Sequence, residues 1–253
     1  MRRKYTFPLM MEEQRSNIVL QSVDRASGST GSHDFRIGLP ETLEGCYGVS
    51  LIQIPHTFYT IRSGHNTIYF YENSTSKTAT VTPGYYSSST IAAAVKSALD
   101  TASGGHNTYT ITYSSSTKKL SASASNAFYF EWSADTGNGC WRQLGFTQGT
   151  DTTSGTSVTF PNVIDLVGAH FITVEIRQAQ SYTLSTGTSS SNWGIVVPID
   201  VDYGSYLLQK TTDIAQRIQF SSRTKHLNIR VLDEEGASLD LNGSNWTVVL
   251  SPL

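Results

Sequence analysis

Apolar residues recur at every second position in several separate segments of this chain, and that period restricts those segments to β-strands with one buried face. In one of them, Ile172, Val174 and Ile176 alternate with polar or charged residues. The same alternation occurs in five further segments, which contain Phe35, Ile37 and Leu39; Ile68 and Phe70; Tyr109, Ile111 and Tyr113; Leu227, Ile229 and Val231; and Trp246, Val248 and Leu250. Residues 49–54 are apolar on both faces apart from Ser50 and Gln53, which predicts a strand near the centre of the fold. The pattern as a whole predicts an all-β protein built as a β-sandwich.

A helical period interrupts these strands. Its apolar face consists of Ile91, Val95, Ala98 and Leu99, and the alanines at 92–94 favour a helix. A second short helical turn is predicted around residues 139–144. Strands are predicted between and around these helices at 109–113, 119–123 and 128–132. The whole segment is predicted to be a small α+β insertion between two blocks of sandwich strands.

The chain therefore divides into three predicted parts. Residues 1–16 show no sustained alternation and are expected to form an N-terminal arm. Residues 17–78 and 154–253 are expected to form the β-sandwich domain. Residues 79–153 form the predicted insertion subdomain, which is bounded by polar, turn-rich stretches on both sides.

Charge and hydropathy exclude several classes of protein. The formal net charge is −2 and only 15% of the residues are charged, which argues against a dedicated nucleic-acid binder. No apolar run approaches the length of a membrane-spanning helix, and no segment resembles a secretion signal. We therefore expect a protein without a transmembrane segment that is made in a cytoplasm or a nucleus.

Motifs for catalysis and for cofactor or metal binding are absent from the sequence. Cys46 and Cys140 lie far apart, neither belongs to a pattern with metal-ligand spacing, and the six histidines are scattered singly. There is no nucleophile elbow, Walker A motif or zinc-protease motif. The sequence thus predicts a protein that is not an enzyme and that needs no cofactor or metal.

Two groups of residues are candidates for binding. Arg2, Arg3 and Lys4 could contact an anionic nucleic acid, although the same residues also suit an ordinary flexible terminus. A second candidate group consists of four aromatic residues, Tyr85, Tyr86, Trp132 and Trp141. These aromatic rings could stack on sugars, and packing in the core or at a protein interface is the simpler use for them.

Short motifs occur in the same order as in a known family. The chain resembles the single jelly-roll penton and minor capsid proteins of virophages, polinton-like elements and their large DNA virus relatives. Residues 17–20 with Asp24-Arg25 resemble the opening strand of that family. Its I-P then Tyr-Asn-Ile stretch is similar to Val49 to Pro55 followed by Phe58-Tyr59-Thr60-Ile61, where Thr60 stands in place of the usual Asn. Further similar elements are Pro83-Gly84-Tyr85-Tyr86 before the predicted helix, Leu144-Gly145-Phe146, and the last hairpin of Leu227 to Leu232, Asp233 to Gly236 and Trp246 to Leu250.

This resemblance, which runs from about residue 17 to residue 250, implies a jelly roll and a structural role in the virion. It implies a homopentamer at the icosahedral vertex of a double-stranded DNA virus, with contacts to the major capsid protein and to other minor capsid proteins. The N-terminal arm would then face the interior and the packaged DNA. The resemblance supplies no catalytic residues.

Two alternatives remain open from the sequence. The first is a receptor-binding or glycan-binding jelly roll, similar to a fibre protein, in which the aromatic group would contact the ligand. The second is a small enzyme that acts on polysaccharides, which the missing catalytic motifs disfavour.

Overall fold

The computed structural model of this protein describes residues 16–179, 193–210 and 217–253. The predicted arm, including Arg2, Arg3 and Lys4, lies outside these residues apart from its last position. The strands of the described chain are β1 (Ile18–Gln21), β2 (Asp34–Pro55), β3 (Thr67–Glu72), β4 (Thr75–Thr80), β5 (Thr110–Tyr113), β6 (Leu120–Phe130), β7 (Gly155–Thr159), β8 (Phe171–Ile176), β9 (Trp193–Pro198), β10 (Tyr206–Lys210), β11 (Arg217–Leu232) and β12 (Thr247–Pro252). The helices are α1 (Ile91–Ser103) and α2 (Trp141–Leu144), with short 3₁₀ turns at Ser22–Asp24 and Trp132–Ala134.

The fold is all-β, as the sequence predicts, and its antiparallel sheets are consistent with a jelly-roll-like fold. Its strands form a seven-stranded and a five-stranded sheet, and the strand pairs for which a register is defined are antiparallel. No helix in the described ranges is long and apolar enough to cross a membrane. The chain groups into two compact units, each of which contains one of the sheets.

The first unit comprises the described residues up to Pro55, those from Ile172 to Val201, and those from Ser205 onward. Its sheet has the order β1-β12-β2-β11-β8-β9, with β10 also paired to β2. Residues 51–53 of β2 pair with β12 on one edge and with β10 on the other, which confirms the predicted central position of this segment. β11 pairs with residues 34–48 of β2, along the same edge as β10. β11 and β10 therefore lie one after the other beside β2.

The core of the first unit follows the period-two pattern. Leu227, Ile229 and Val231 of β11 are fully buried. Val248 and Leu250 of β12 expose at most 1% of their surface. Trp246 is also buried, and its indole Nε1 donates a hydrogen bond of 2.6 Å to the main-chain oxygen of Ser32. This bond satisfies the only polar atom of the indole ring, so the ring packs in the core without an unpaired donor.

The second unit comprises His56–Phe171 and Asp202–Gly204. Its sheet has the order β4-β3-β6-β5, with β7 paired to β6. Helix α1 contacts β4 and β5, the strands at the two ends of this order. The predicted helix is confirmed, and its predicted apolar face, Ile91, Val95, Ala98 and Leu99, is buried.

The structure also differs from the sequence-based predictions at several elements. The strands predicted at 119–123 and 128–132 are one continuous strand, β6, and Trp132 lies beyond its end in a 3₁₀ turn. Likewise, the segments predicted at 35–39 and 49–54 belong to the single strand β2. The strands β4, β7, β9 and β10 were not predicted. β4, β7 and β10 contribute few residues to an apolar alternation, and in β9 the exposed Val196 between the buried Ile195 and Val197 conceals the alternation.

The predicted insertion, residues 79–153, lies entirely within the second unit, whose own limits are wider. Strands β3 and β4 belong to the same sheet as β6, so this sheet begins before residue 79. The division into an arm at 1–16, a jelly roll at 17–78 and 154–253, and an insertion at 79–153 stays a prediction.

Candidate assembly surfaces

The four candidate aromatic residues occupy different environments in the second unit. Trp132 has no exposed surface, and its ring makes edge contacts with Tyr69 and tilted contacts with Phe146. Trp141 is half-buried and packs against the same core. The ring of Trp132 could reach a ligand only if the core opened, so contacts at the surface are restricted to Tyr85, Tyr86 and the exposed part of Trp141.

Tyr85 belongs to a tyrosine cluster that we define as Tyr59, Tyr85 and Tyr203. The rings of Tyr85 and Tyr203 stack with their centroids 4.2 Å apart and their planes 16° apart. Burial raises the pKa of Tyr203, and the neighbouring Tyr59 and Tyr85 raise it further. Tyr85 keeps 45% of its surface exposed. The cluster thus presents one flat aromatic ring to solvent.

Local structure fixes the position of this tyrosine. Gly84, which precedes it, exchanges main-chain hydrogen bonds of 2.9 and 3.1 Å with Ile61. Tyr86, which follows it, donates its hydroxyl hydrogen to the main-chain oxygen of Thr82 at 2.6 Å. Both neighbours of Tyr85 are therefore held, and the exposed ring is presented from a fixed backbone.

A second apolar surface lies on the first unit, at the end of its sheet. In β10, Leu207 is fully buried while its neighbours Tyr206 and Leu208 are 57% and 54% exposed. In β9, which contacts β10, Val196 is 55% exposed between two buried residues. We call these three exposed residues the β9–β10 patch. Strands that are apolar on both faces are typical of strands covered on both sides.

At its other end, the sheet of the first unit terminates in β1, where Val19 is 56% exposed. β1 pairs with β12 through Val19 and Val249 and has no second neighbour in the described sheet. An edge strand offers unpaired main-chain groups to another chain. Both ends of this sheet therefore have features of an interface.

The titratable groups of the described chain include a buried thiol, Cys140. Burial raises the pKa of the Cys140 thiol to about 12, which keeps it protonated and unreactive at neutral pH. Both cysteines are free. In the part of the chain that the structure describes, no three His, Cys, Asp or Glu side chains are placed to hold a metal ion.

One cluster of polar side chains, Arg142, Asp165 and His170, places a histidine beside a carboxylate. Arg142 Nε donates to Asp165 Oδ2 at 3.2 Å, and its terminal nitrogen lies 2.7 Å from His170 Nδ1. His170 Nε2 lies 3.5 Å from Asp165 Oδ2. Both ring nitrogens thus face a protein group, so neither is directed to a substrate, and the cluster links α2 to the segment that follows β7.

Sequence reasoning missed a buried polar network around Glu72 in the second unit. Its carboxylate accepts hydrogen bonds from Lys77 (2.8 Å), Asn107 (2.7 Å) and Tyr109 (2.8 Å). Lys77 also donates to the main-chain oxygen of Ser103 at 2.9 Å. The network joins β3, β4, the end of α1 and the segment leading into β5. Its only local signal in the sequence is that Glu72 and Lys77 lie on either side of a two-residue turn at Asn73 and Ser74.

The pKa of Glu72 reflects this network. Burial by itself would raise the pKa, but the hydrogen bonds from Lys77, Ser103, Tyr109 and Asn107 outweigh it and lower the pKa from 4.5 to about 2. Burial, together with the bond to this carboxylate, raises the pKa of the Tyr109 hydroxyl far above its ordinary value. At neutral pH the network therefore contains a carboxylate at Glu72 and a neutral phenol at Tyr109.

No known family profile and no curated protein matches this sequence. Among solved structures, the fold is similar to the crystal structure of the mavirus penton protein. The TM-score is 0.48 and the sequence identity is 10%, over 94% of this chain and 100% of that chain.

Proposed function

We propose that this protein is a structural capsid protein that works by assembling with copies of itself and with other capsid proteins. The observation that carries the proposal is the β9–β10 patch, three exposed apolar side chains on contacting strands of a jelly-roll-like sheet. The resemblance of motifs in order along the chain, from residue 17 to residue 250, supports the capsid role in particular.

Self-association follows from the physics of such a surface. Exposed Val, Leu and Tyr side chains gain about 25 cal/mol for each Å² of apolar surface that a partner covers. A head-to-tail contact that closes into a ring buries each interface once and then stops growing. The resemblance to vertex proteins gives the number, and we propose a homopentamer at the icosahedral vertex, in contact with the major capsid protein and other minor capsid proteins.

The arrangement of titratable groups supports a role without catalysis. Cys140 is buried and protonated, and the ring nitrogens of His170 both face protein groups. A buried thiol with a raised pKa is a poor nucleophile. A structural role requires none of this chemistry.

Leu208→Lys tests the assembly surface. The substitution places a charge in the centre of the proposed contact, where desolvation of the ammonium group opposes association. Val163→Lys is the matched control, because Val163 is exposed to a similar extent (55%) but belongs to the second unit, outside the sheet that carries the β9–β10 patch. We expect light scattering to show a ring for the wild type and for V163K and a monomer for L208K. A ring that survives in L208K would remove the β9–β10 patch as the contact.

Recognition of glycans is the second candidate function, and the exposed ring of Tyr85 favours it. Aromatic faces bind sugar rings, and this ring is held by stacking on Tyr203. A glycan array with the wild type and the Tyr85→Ala variant separates the two functions. Binding that depends on Tyr85 would favour a recognition protein, whereas ring assembly without glycan binding would favour the capsid role.

We further propose that Arg2, Arg3 and Lys4 contact the packaged DNA. Three positive charges supply weak, salt-dependent affinity through release of counterions from the phosphates. Replacing all three by Ala should abolish retention of the protein on duplex DNA at low salt. Equal retention of both forms would exclude this role.

A further inference from the structure

In the part of the chain that the structure describes, the outer edge of β4 has main-chain groups without a partner. β4 pairs with β3 on one side and is the last strand in the order of its sheet. The main-chain N–H of Val81 donates to Asn66 at 2.9 Å. Hydrogen-bonded pairs alternate along an antiparallel ladder, so Thr75, Lys77 and Ala79 bond to β3 while Ser76, Thr78 and Thr80 point their N–H and C=O groups away from it.

The opposite edge of β3 confirms this alternation. The N–H of Glu131 donates to the main-chain oxygen of Tyr69 at 2.9 Å, which directs Tyr69 toward β6 and leaves Ile68 and Phe70 to bond with β4. Within the described residues, no hydrogen bond engages the main-chain groups of Ser76, Thr78 or Thr80 beyond this ladder. These three residues are also exposed.

A groove of about 520 Å³ runs between this edge and helix α1. On the strand side it is lined by Thr78, Thr80 and Thr82, which include two of the three residues whose main chain points outward. On the helix side it is lined by a stripe of small residues, among them Ala94, Ser97 and Thr101. These residues recur at i, i+3 and i+7, so they lie on one face of the helix.

The charges near the edge do not protect it. Native edge strands commonly carry an outward-facing lysine that prevents pairing with another chain. The only charged residue of β4 is Lys77, and its ammonium group is bound to the buried carboxylate of Glu72 at 2.8 Å. The residues lining the groove are uncharged. The edge is therefore open to a strand and selects for a neutral one.

We propose that the groove between β4 and α1 binds an extended, uncharged segment of another polypeptide chain, which adds to β4 as a further strand. The segment would exchange main-chain hydrogen bonds with Ser76, Thr78 and Thr80 and would place alternate side chains against the small residues of α1. Addition of a strand to a free sheet edge is an established mode of peptide recognition, in which the main chain provides affinity and side-chain pockets provide specificity. This binding site does not depend on the capsid role.

The chemistry of the groove favours a strand over a small molecule. Unpaired donors and acceptors alternate along the edge, and the main chain of an extended peptide repeats with the same spacing. A small ligand would leave most of these groups in contact with water only. The groove also lacks the charged side chains that commonly orient small polar ligands.

Thr78→Pro tests the proposal directly. The N–H of Thr78 points outward, so proline at this position removes a donor from the edge and leaves the bonds to β3 intact. Thr78→Val is the matched control, because valine keeps the N–H and has nearly the shape of threonine. Ser97→Trp provides an independent block, since the indole would fill the groove from the helix side and leave the main-chain donors and acceptors of the edge unchanged.

The probe is a phage-displayed library of random peptides of about eight residues, long enough to run beside β4. Peptides selected on the wild type should bind T78V with the same affinity. Their affinity for T78P and for S97W should be lower by about tenfold or more. Hydrogen exchange measured by NMR should show the amides of Thr78 and Thr80 becoming protected when such a peptide binds. The amides of Lys77 and Ala79 should be protected in both states.

Three results would overturn the proposal. The first is a library that yields no peptide enriched on the wild type over T78P. The second is a set of selected peptides that bind T78P and S97W as well as the wild type. The third is peptide binding without protection of Thr78 and Thr80, which would place the peptide elsewhere.

Discussion

At the scale of single residues, Glu72 shows how a buried charge is maintained in a fold that is otherwise poor in charge. Its carboxylate accepts hydrogen bonds from Lys77 on β4 and from Asn107 and Tyr109 in the segment before β5. Its side chain has no exposed surface. A sequence alone cannot reveal such a network, because its members are separated by up to 37 positions and come together only when the sheet forms. The nearby turn was the one local sign of it.

Glu72→Gln should destabilise the second unit. The amide keeps the size of the side chain but removes the negative charge and replaces one of the two acceptor oxygens by an NH₂ donor, so either Lys77 or the pair Asn107 and Tyr109 loses its acceptor. We expect a loss of about 1–3 kcal/mol in the free energy of unfolding, measured with urea and tryptophan fluorescence. The control is Glu41→Gln, an exposed carboxylate on β2, which should have almost no effect.

The same network predicts a dependence on pH. The pKa of Glu72 is lowered from 4.5 to about 2 in the folded protein, so its stabilising contribution is fully present above pH 4.5 and is lost as the pH falls toward 2. The wild type should lose stability over this window, and Glu72→Gln should lose less. Parallel losses in both proteins would show that Glu72 does not cause the acid sensitivity.

Gly145, in the Leu144-Gly145-Phe146 motif, has a backbone conformation that restricts substitution. Gly145 has φ of +82°, and a Cβ atom there would lie 2.5 Å from the main-chain oxygen of Asn162. Gly149 has a similar φ of +69° but open space around the Cβ position. Gly149→Ala should cost about 1–2 kcal/mol for the left-handed conformation alone.

Gly145→Ala should cost more than that, since the backbone of Asn162 must also move. Thermal unfolding of the two variants measures the difference. Equal losses would mean that the approach of Asn162 is not a constraint on the folded protein.

At the scale of elements, the sequence predicts those strands that bury a regular set of side chains. In β11, Leu227, Ile229 and Val231 alternate without interruption, and all three side chains are buried as predicted. β4 escaped prediction because Ala79 is its only buried hydrophobic side chain, and the rest of the strand is polar. Its position depends on pairing with β3, which is a long-range property.

The continuity of β2 also lay beyond the sequence. Pro40 and Gly45 interrupt its apolar pattern and are typical of a break between two strands. In the structure both are accommodated in one strand of 22 residues. Its two halves pair with different neighbours, β11 along the first and β10 along the last. The two predicted strands were correct in place and wrong in number.

The extent of the insertion can be tested by deletion. Replacing 79–153 by a short Gly/Ser link would leave β3 without β6, and Ile68 and Phe70 would lose the core that covers them. Replacing residues 57–170 removes that whole sheet together with its core. We expect cooperative urea unfolding only for the longer deletion. Cooperative unfolding of the shorter one would support the boundaries that the sequence predicts.

At the scale of the whole molecule, the sequence predicted the fold class because the period of its apolar residues depends on secondary structure alone. The candidate sites were predicted less completely. The sequence predicts that Trp132 lies in a strand, but only the tertiary structure shows that its ring lies in the core. The β9–β10 patch could not be predicted, since an exposed Leu208 and a buried Leu207 are the same residue type in sequence.

Assembly is a property of the molecule as a whole, and it depends on how much apolar surface remains after folding. The β9–β10 patch and the edge strand β1 lie on the first unit, whose sheet ends in strands with exposed valines. A ring that persists through particle assembly requires interfaces near the standard size of about 1,600 Å². The patch supplies the apolar centre of such an interface, and polar surface around it would supply the rim.

The central claim, that this protein functions through self-assembly, is tested most directly by the mass of the purified protein in solution. Light scattering coupled to chromatography, over a range of protein concentrations and backed by negative-stain class averages, gives that mass and the symmetry of the particle. A closed ring of five copies gives a mass near five chains and views with fivefold symmetry, and this is the expected result. A protein that stays monomeric at high concentration, or one that forms a stable trimer, would contradict it.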